Sequence, residues 1–333
     1  MKLKDLFNKK RLNFLNLFFG IVLIQFIFAW DALDRITTLP YTESLLSNYD
    51  AFASTRLISH LIDIIFQAGD QFLQSIGIGL RPADPVFYWG WFLIQQIFIL
   101  LLLLVGFKLD MKKSPLYVTI LTMSVLRYGY WDYFTRPQDG ITFIIMLLMY
   151  YSYKTGNKKA YYVLTVLGVL QREFCLFVNL FVVLDQWKAE KYSFKRIVTK
   201  DFLKKIWPEI LAMLGYVTYR TLFLWLSGFP MGLSPSIWQM TDPGDYLLNP
   251  KEWFHLLLML GWLWYFLIKS KDWRLYILVI AIFAFSTFFA FPFEINKIGS
   301  VFFIIHMEIP EFKHGFQKSV TNEEKPAILQ KNA

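Results

Sequence analysis

Long uncharged apolar runs constrain the fold of this chain more than any other feature. Residues 12–30 and 87–107 each form such a run, and each has roughly the 20 residues that a helix needs to cross a ~30 Å hydrocarbon layer. The runs lack the alternation of membrane barrel strands. Because lipid offers the backbone no hydrogen-bond partner, they indicate helices. With 56% hydrophobic and 18% charged residues, the chain is predicted to be an all-α, polytopic membrane helix bundle.

The distribution of lysines predicts the orientation of the bundle. No lysine occurs between Arg11 and Lys108, and lysines then recur in short clusters separated by acidic or mixed loops. An excess of Lys and Arg marks the cytoplasmic side, so this alternation predicts about ten crossings with both termini in the cytoplasm. We expect an inner-membrane protein with one integral domain, residues 1–312, and a polar cytoplasmic tail, residues 313–333.

Four further apolar runs are too short to cross a bilayer alone, since each has roughly 11–13 residues where about 20 are needed. They are residues 116–126, 141–153, 160–171 and 174–184. Such runs predict paired helices that meet part-way into the membrane. Residues 160–184 fit either a single crossing with Arg172 and Glu173 at its centre or a hairpin with its tip at Gln171–Glu173. We prefer the hairpin, because a single crossing would place the basic segment 188–205 outside.

Ionisable residues occur at the ends of these short runs. They are Asp132, Arg136, Asp139, Arg172 and Glu173. Charged groups at membrane depth are costly unless they line a watery or protein-lined cavity, which makes them candidates for a substrate-binding site. Arginine can bind a phosphate with two parallel hydrogen bonds, and the carboxylates can hold a hydroxyl group or a cation. The alternative is structural: the arginines and carboxylates only neutralise one another across the hairpins.

Two further groups of acidic residues lie at predicted helix ends. Asp31 and Asp34, directly after the first run, could share one helical face, and a partly desolvated carboxylate there can act as a general base. The alternative is a solvated helix end. Glu294 near the carboxyl end, with Lys297, His306 and Glu308, is a weaker candidate and is otherwise interfacial.

In residues 55–75 polar and apolar side chains recur with a helical period, which predicts an amphipathic helix along the outer membrane surface. Arg56, His60 and Asp63 lie on its polar face. These three residues either bind a lipid phosphate or a sugar, or form the wet side of the helix. No cysteine or second histidine accompanies His60 at metal-ligand spacing, so no metal site is predicted.

Several function classes find no support in the sequence. The chain has no glycine-rich nucleotide-binding loop, no serine-hydrolase elbow and no HExxH motif. Its net charge of +9 is interpreted as a topology signal and predicts no nucleic-acid partner. The single cysteine, Cys175, rules out a disulfide framework. A divalent cation has no sequence signature here, and the cofactor is left unknown.

The pattern resembles the GT-C superfamily of polytopic glycosyltransferases, in particular uncharacterised bacterial branches. The matching positions are Asp31 and Asp34 after the first run, Pro40–Tyr41 with Arg56–Leu57, the block from Asp139 to Arg172–Glu173, and the closing segment from Phe293–Glu294 to Glu308–Pro310. The resemblance covers about half the chain. Two features depart from the family: Lys297 stands where arginine is expected, and no large soluble domain follows the spans.

This resemblance implies a transferase that takes a sugar from a polyprenyl-phosphate donor on the non-cytoplasmic face. Asp34 or Asp31 would deprotonate the acceptor, a small or lipid-linked molecule, and the reaction would invert the sugar. Arg172 and Arg56 would hold the donor phosphate. The alternatives are a transporter or flippase for an amphipathic lipid or polyol, and a membrane subunit whose charges only pair. Broken helices in the first half of the chain alone favour the enzyme.

Overall fold

The computed structural model describes residues 57–78, 85–109, 139–226, 268, 272–289, 303–305 and 307–308. These residues form helices and short turns without a strand, so the predicted all-α class is confirmed for them. The helices are α1 (Leu57–Ser75), α2 (Pro85–Lys108), α3 (Asp139–Lys154), α4 (Lys158–Gln171), a 3₁₀ turn (Glu173–Cys175), α5 (Leu176–Ala189), α6 (Phe194–Ile197), α7 (Lys200–Leu226) and α8 (Trp273–Phe289).

Helices α3, α4 and α5 are joined by two reversals of the chain, so that α4 runs antiparallel to both of its neighbours in the sequence. Between α3 and α4 the chain reverses at Gly156, which adopts φ +71°, and the Asn157 side chain then accepts a hydrogen bond from the Ala160 N–H at 3.2 Å. A left-handed glycine ends a helix at low cost, and an asparagine cap satisfies the first free N–H groups of the next. The turn between α3 and α4 is therefore a standard helix-to-helix reversal.

The second reversal lies between α4 and α5. Arg172 interrupts the helix with an extended backbone, φ −168° and ψ 149°, and the 3₁₀ turn follows. The Asn179 Nδ2 donates a hydrogen bond to the Tyr161 hydroxyl at 2.9 Å. In one continuous helix these two residues would lie about 27 Å apart. The predicted hairpin is therefore confirmed, and the single crossing is wrong.

Helix α1 packs against α2 through its polar residues. The Asp70 carboxylate accepts hydrogen bonds from the Val86 and Phe87 N–H groups at 2.8 and 3.0 Å, which caps the start of α2. Pro85 occupies the first position of α2, where no N–H is needed. The Trp91 indole donates to Asp63 at 2.8 Å.

These contacts correct one interpretation of α1. Asp63, offered as part of a wet or ligand-binding face, is buried against α2, as is Asp70, and Ser59 is buried against Gln171 of α4. The exposed side chains up to Phe72 are mostly apolar and include Leu61 and Ile65, whereas polar exposed residues, Gln71, Gln74 and Ser75, lie near the end of the helix. The amphipathic helix is confirmed, but its polar face contacts protein because those groups find hydrogen-bond partners there.

Helix α7 lies beside α4 and α5 and shows the same inversion. Its buried stripe includes Glu209, Tyr216 and Arg220. Charged residues are exposed in its first two turns and Thr218 and Thr221 farther along, but its other exposed side chains are large and apolar: Leu203, Trp207, Leu211, Leu214, Val217, Leu222, Trp225 and Leu226. A helix at a water-exposed surface has the opposite arrangement.

The core lies around α3. Met146 and Leu147 are fully buried and pack with α2, α5, α8 and residues 303–305. Within the described ranges one helix, α2, is long and apolar enough over Pro85–Gly106 to cross a membrane. Buried helices of soluble proteins share these properties, so the ten crossings stay a prediction.

Gly168 gives a test of the close approach between α4 and the hairpin turn. A Cβ atom at Gly168 would lie 2.7 Å from the Cys175 Cβ, so we expect Gly168→Ala to destabilise the fold by about 1–3 kcal/mol through overpacking. Gly215→Ala on α7 is the matched control, since nothing lies within 4 Å of its added Cβ. Denaturant unfolding measures both, and equal stability of the two variants would contradict the packing described.

Candidate functional site at the hairpin tip

Gln171, Arg172 and Glu173 form the hairpin tip. The Gln171 side chain is buried and joins three helices: its Nε2 donates to Ser59 Oγ at 2.6 Å and Thr142 Oγ1 at 3.1 Å. Its Oε1 accepts a hydrogen bond from the Ser59 N–H at 3.1 Å. The glutamine amide therefore fixes the starts of α1 and α3 against the end of α4. These hydrogen bonds keep the three helices in one arrangement, because breaking any of them leaves a buried polar group unpaired at a cost in free energy.

Arg172 is buried at the break itself, with 2% of its surface exposed. Its Nε lies 3.5 Å from Glu173 Oε1, and its guanidinium carbon lies 4.4 Å from the centre of the Phe174 ring. Contact with an aromatic face and a carboxylate partly offsets the cost of burying the charge. The guanidinium is thus held against a rigid apolar wall.

Helix α7 brings a tyrosine and a second arginine to the same place. The Tyr216 hydroxyl donates to Glu173 Oε2 at 3.0 Å, and Arg220 Nη1 donates to the Tyr216 oxygen at 3.1 Å. Arg172, Glu173, Tyr216 and Arg220 form what we call the tip cluster. One guanidinium contacts the carboxylate directly and the second reaches it through the Tyr216 hydroxyl. The planar N–H groups of a guanidinium match the oxygens of a phosphate.

The predicted site residues fall into two groups. Arg172 and Glu173 lie together in the tip cluster, His60 follows Ser59 in α1, and Asp139 is the first residue of α3, the helix that Gln171 contacts through Thr142. The remaining predicted residues lie outside the described ranges. These are Asp31, Asp34, Arg56, Asp132, Arg136 and Glu294.

Sequence reasoning missed Tyr216 and Arg220. Arg220 is the one charged residue between Glu209 and Leu226, and an isolated arginine in an apolar run is the signal that pointed to it. Tyr216 lies one helical turn away, so the two side chains share a face of α7. The sequence alone does not indicate that this face of α7 packs against the hairpin tip.

The opposite end of the hairpin differs sharply in charge. All ten lysines of the described residues lie at one end of the bundle, which we call the basic end. This end comprises the ends of α2 and α3, the start of α4, the end of α5 and the start of α7. Arg274 lies there at the start of α8, buried between Asp272, Asp185 and Glu308. Lys154 reaches Glu308 at 2.5 Å.

Hydrogen bonds complete this charge network at the basic end. The Tyr150 hydroxyl donates to Glu308 and the Tyr153 hydroxyl to Asp185, both at 2.6 Å. Lys188 pairs with Asp272 at 2.9 Å. Glu308, offered as interfacial, is instead fully buried, because Tyr150 and Lys154 of α3 and Arg274 of α8 meet it there. The network joins α3, α5, α8 and residues 307–308, and its three cations balance its three anions.

Asp272 shows that this network is already satisfied. Burial alone would raise the pKa of Asp272, but hydrogen bonds from Arg274 and Lys188 outweigh it and hold the pKa well below its usual range. A depressed carboxyl pKa stabilises the fold at neutral pH, and this contribution is lost as the pH falls through the folded-state pKa. We interpret the network as structural.

Arg274→Met tests that interpretation. Removing the guanidinium leaves buried carboxylates without their central partner, so we expect a loss of about 3–5 kcal/mol in the free energy of unfolding. Arg196→Met is the control, because Arg196 pairs with Glu190 but is 65% exposed, and exposed pairs contribute about 1 kcal/mol or less. Denaturant unfolding compares the two, and a similar small loss for both would refute a structural role.

Comparison with known proteins identifies no family for this chain. No protein-family model, no curated protein and no solved structure matches this chain. The resemblance to the GT-C superfamily therefore stays a prediction.

Proposed function

We propose that this chain is a multi-pass membrane protein. The support comes from α7 and α1, which bury charged and polar side chains while exposing many large apolar ones, an arrangement suited to lipid. Arg220 and Leu222 on α7 illustrate the contrast, since the arginine is buried and the leucine exposed. The apolar length of α2 fits the same environment.

The charge asymmetry supports an orientation for the bundle. A cluster of lysines at one end of the helices is typical of the cytoplasmic side, so the basic end faces the cytoplasm. Helices α3, α4 and α5 have 16, 14 and 14 residues, which corresponds to about 21–24 Å of helix. Starting at the cytoplasmic edge, they would stop about 6–9 Å short of the far side of a ~30 Å core. The hairpin tip then lies within the outer leaflet.

The buried tip cluster is the observation that carries a function. A buried arginine at that depth is costly and marks a candidate functional site, and here Arg172 pairs with Glu173 while Arg220 reaches the same carboxylate through the Tyr216 hydroxyl. A lipid phosphate lies in the headgroup layer just above this level, so it reaches the tip by entering the protein, where guanidinium groups bind it with two parallel hydrogen bonds. We therefore assign the tip cluster to the phosphate of a polyprenyl-phosphate donor.

The reaction we propose is transfer of the donor's sugar to a lipid-linked or small acceptor. Asp34 or Asp31 takes the proton of an acceptor hydroxyl, whose oxygen attacks the anomeric carbon of the sugar. The bond from that carbon to the phosphate oxygen breaks, and the polyprenyl phosphate leaves with the electron pair. Arg172 and Arg220 stabilise the negative charge that develops on this leaving group, and Glu173 orders the two arginines.

Membrane orientation can be tested with single cysteines in a Cys175→Ser background, since Cys175 is the chain's only cysteine. Ser75 and Thr155 are both exposed and lie at opposite ends of the bundle. We expect a membrane-impermeant maleimide to label Ser75→Cys in intact cells and Thr155→Cys only after permeabilisation. Labelling of both positions in intact cells would exclude this orientation.

Donor binding can be tested with undecaprenyl phosphate, using undecaprenol as the control without a phosphate. We expect the phosphate to raise the unfolding temperature of the purified chain. Arg172→Met and Arg220→Met should each weaken binding about tenfold or more, because a hydrogen bond to a charged group contributes about 1.5–3 kcal/mol. Arg196→Met, at the basic end, should bind like the wild type.

A cell-based assay separates the transferase from its alternatives. Asp31→Ala, Asp34→Ala and Arg172→Ala are expressed at wild-type level, and surface glycan is measured. Loss of glycan in Arg172→Ala and in at least one aspartate variant supports transfer. If the tip cluster binds undecaprenyl phosphate while all three variants keep wild-type glycan, a lipid transporter or flippase replaces the enzyme.

A further inference from the structure

Glu209 is a buried carboxylate that neither charged cluster uses. It follows Pro208 within α7 and is 3% exposed. The residues before it on the outer face, Leu203 and Trp207, are exposed and apolar. Glu209 points instead toward α4 and α5, into the space between the three helices.

Two polar side chains from the neighbouring helices share this space. The Tyr161 hydroxyl on α4 lies beside the Glu209 carboxylate, and its oxygen accepts a hydrogen bond from Asn179 Nδ2 on α5 at 2.9 Å. Asn179 is 1% exposed. Each of the three helices thus contributes one polar residue to the space around the Tyr161 hydroxyl.

Two oxygens of this group are left over. Within the described part of the chain, Glu209 Oε2 and Asn179 Oδ1 are buried and have no hydrogen-bond partner. A buried polar atom without a partner costs about 1–3 kcal/mol, and more where the group is charged. Such oxygens are uncommon in folded proteins, and two beside one hydroxyl call for an explanation.

The basic side chains of the described residues do not pair with Glu209. In the described ranges no lysine or arginine forms an ion pair or hydrogen bond with Glu209. Lys205, one turn earlier on α7, reaches Glu190 at 2.8 Å instead and is half exposed. Lys158, one turn before Tyr161 on α4, is exposed. The carboxylate therefore lies beside a phenol that is held by an amide, and the described residues place no cation of the protein against it.

We propose that Tyr161, Asn179 and Glu209 form a binding site for one monovalent cation, either a proton or a sodium ion. Carboxylate, amide and hydroxyl oxygens are ligands for hard cations, and the site offers no sulfur or imidazole. A single positive charge neutralises the single carboxylate, whereas a divalent ion would leave a net charge buried at high cost. The cation satisfies both remaining oxygens.

This site is separate from the hairpin tip. Tyr161 lies ten residues before Gln171 on α4, which corresponds to about 15 Å along the helix. The inference does not depend on donor binding or sugar transfer, and either can fail without the other.

The experiment measures the unfolding temperature of the purified full-length chain. At pH 8 and about 0.15 M ionic strength, choline chloride is replaced stepwise by sodium or potassium chloride. A sodium site raises the unfolding temperature with sodium concentration, as for any ligand that binds only the folded state. A proton site gives no sodium effect, but stability rises from pH 8 to pH 5 relative to Glu209→Gln, whose amide resembles the protonated carboxyl group.

Three variants make the result decisive. Glu209→Gln should abolish the sodium response or flatten the pH response, and Tyr161→Phe, which keeps the ring, should weaken the same response about tenfold, as expected for one lost contact of about 1.4 kcal/mol. Glu190→Gln removes a different carboxylate, one that already pairs with Arg196 and Lys205, and should leave the response unchanged. If sodium and pH affect the wild type and the Tyr161→Phe variant equally, or if Glu190→Gln removes the response, the proposal is wrong.

Discussion

The burial of Arg172 at the break between α4 and α5 is the constraint on which the rest of the hairpin depends. A guanidinium in an apolar bundle is stable only where neighbours supply hydrogen-bond acceptors or an aromatic face, and here Glu173 and Phe174 do so. The extended backbone at Arg172 ends one helix and allows the next to return. Gln171 then joins the turn to α1 and α3, so the break becomes a fixed point of the fold.

The two ends of this hairpin handle charge in different ways. At the basic end Arg274 is enclosed by Asp185, Asp272 and Glu308, and the paired charges join four parts of the chain. At the tip the charges number fewer and are linked in a line from Arg172 through Glu173 and Tyr216 to Arg220. A balanced network is suited to holding helices together, whereas a pair of guanidinium groups in an apolar setting is suited to an anion. This contrast is why the tip, and not the larger network, carries the proposed function.

Much of the fold was accessible from residue patterns. The positions of α1 and α2, the separation of α3 from α4, and the hairpin at Gln171–Glu173 follow from helical periodicity, the length of the apolar runs and the requirement that charges leave apolar helices. The polar face of α1 was also correctly identified as one face. Its environment was not, because periodicity separates two faces without saying which one meets protein. Contacts of Asp63 and Asp70 with α2 decided that question.

By itself, the sequence determined the helical class, the break at Arg172 and the concentration of lysines at one end, since each depends on composition or on neighbours within a few positions. Tertiary structure alone decided the partners. Tyr216 reaches Glu173 across 43 positions and Tyr150 reaches Glu308 across 158, and no local pattern encodes such pairs. The same holds for Glu209, whose meeting with Tyr161 exists only because α7 packs into the groove between α4 and α5.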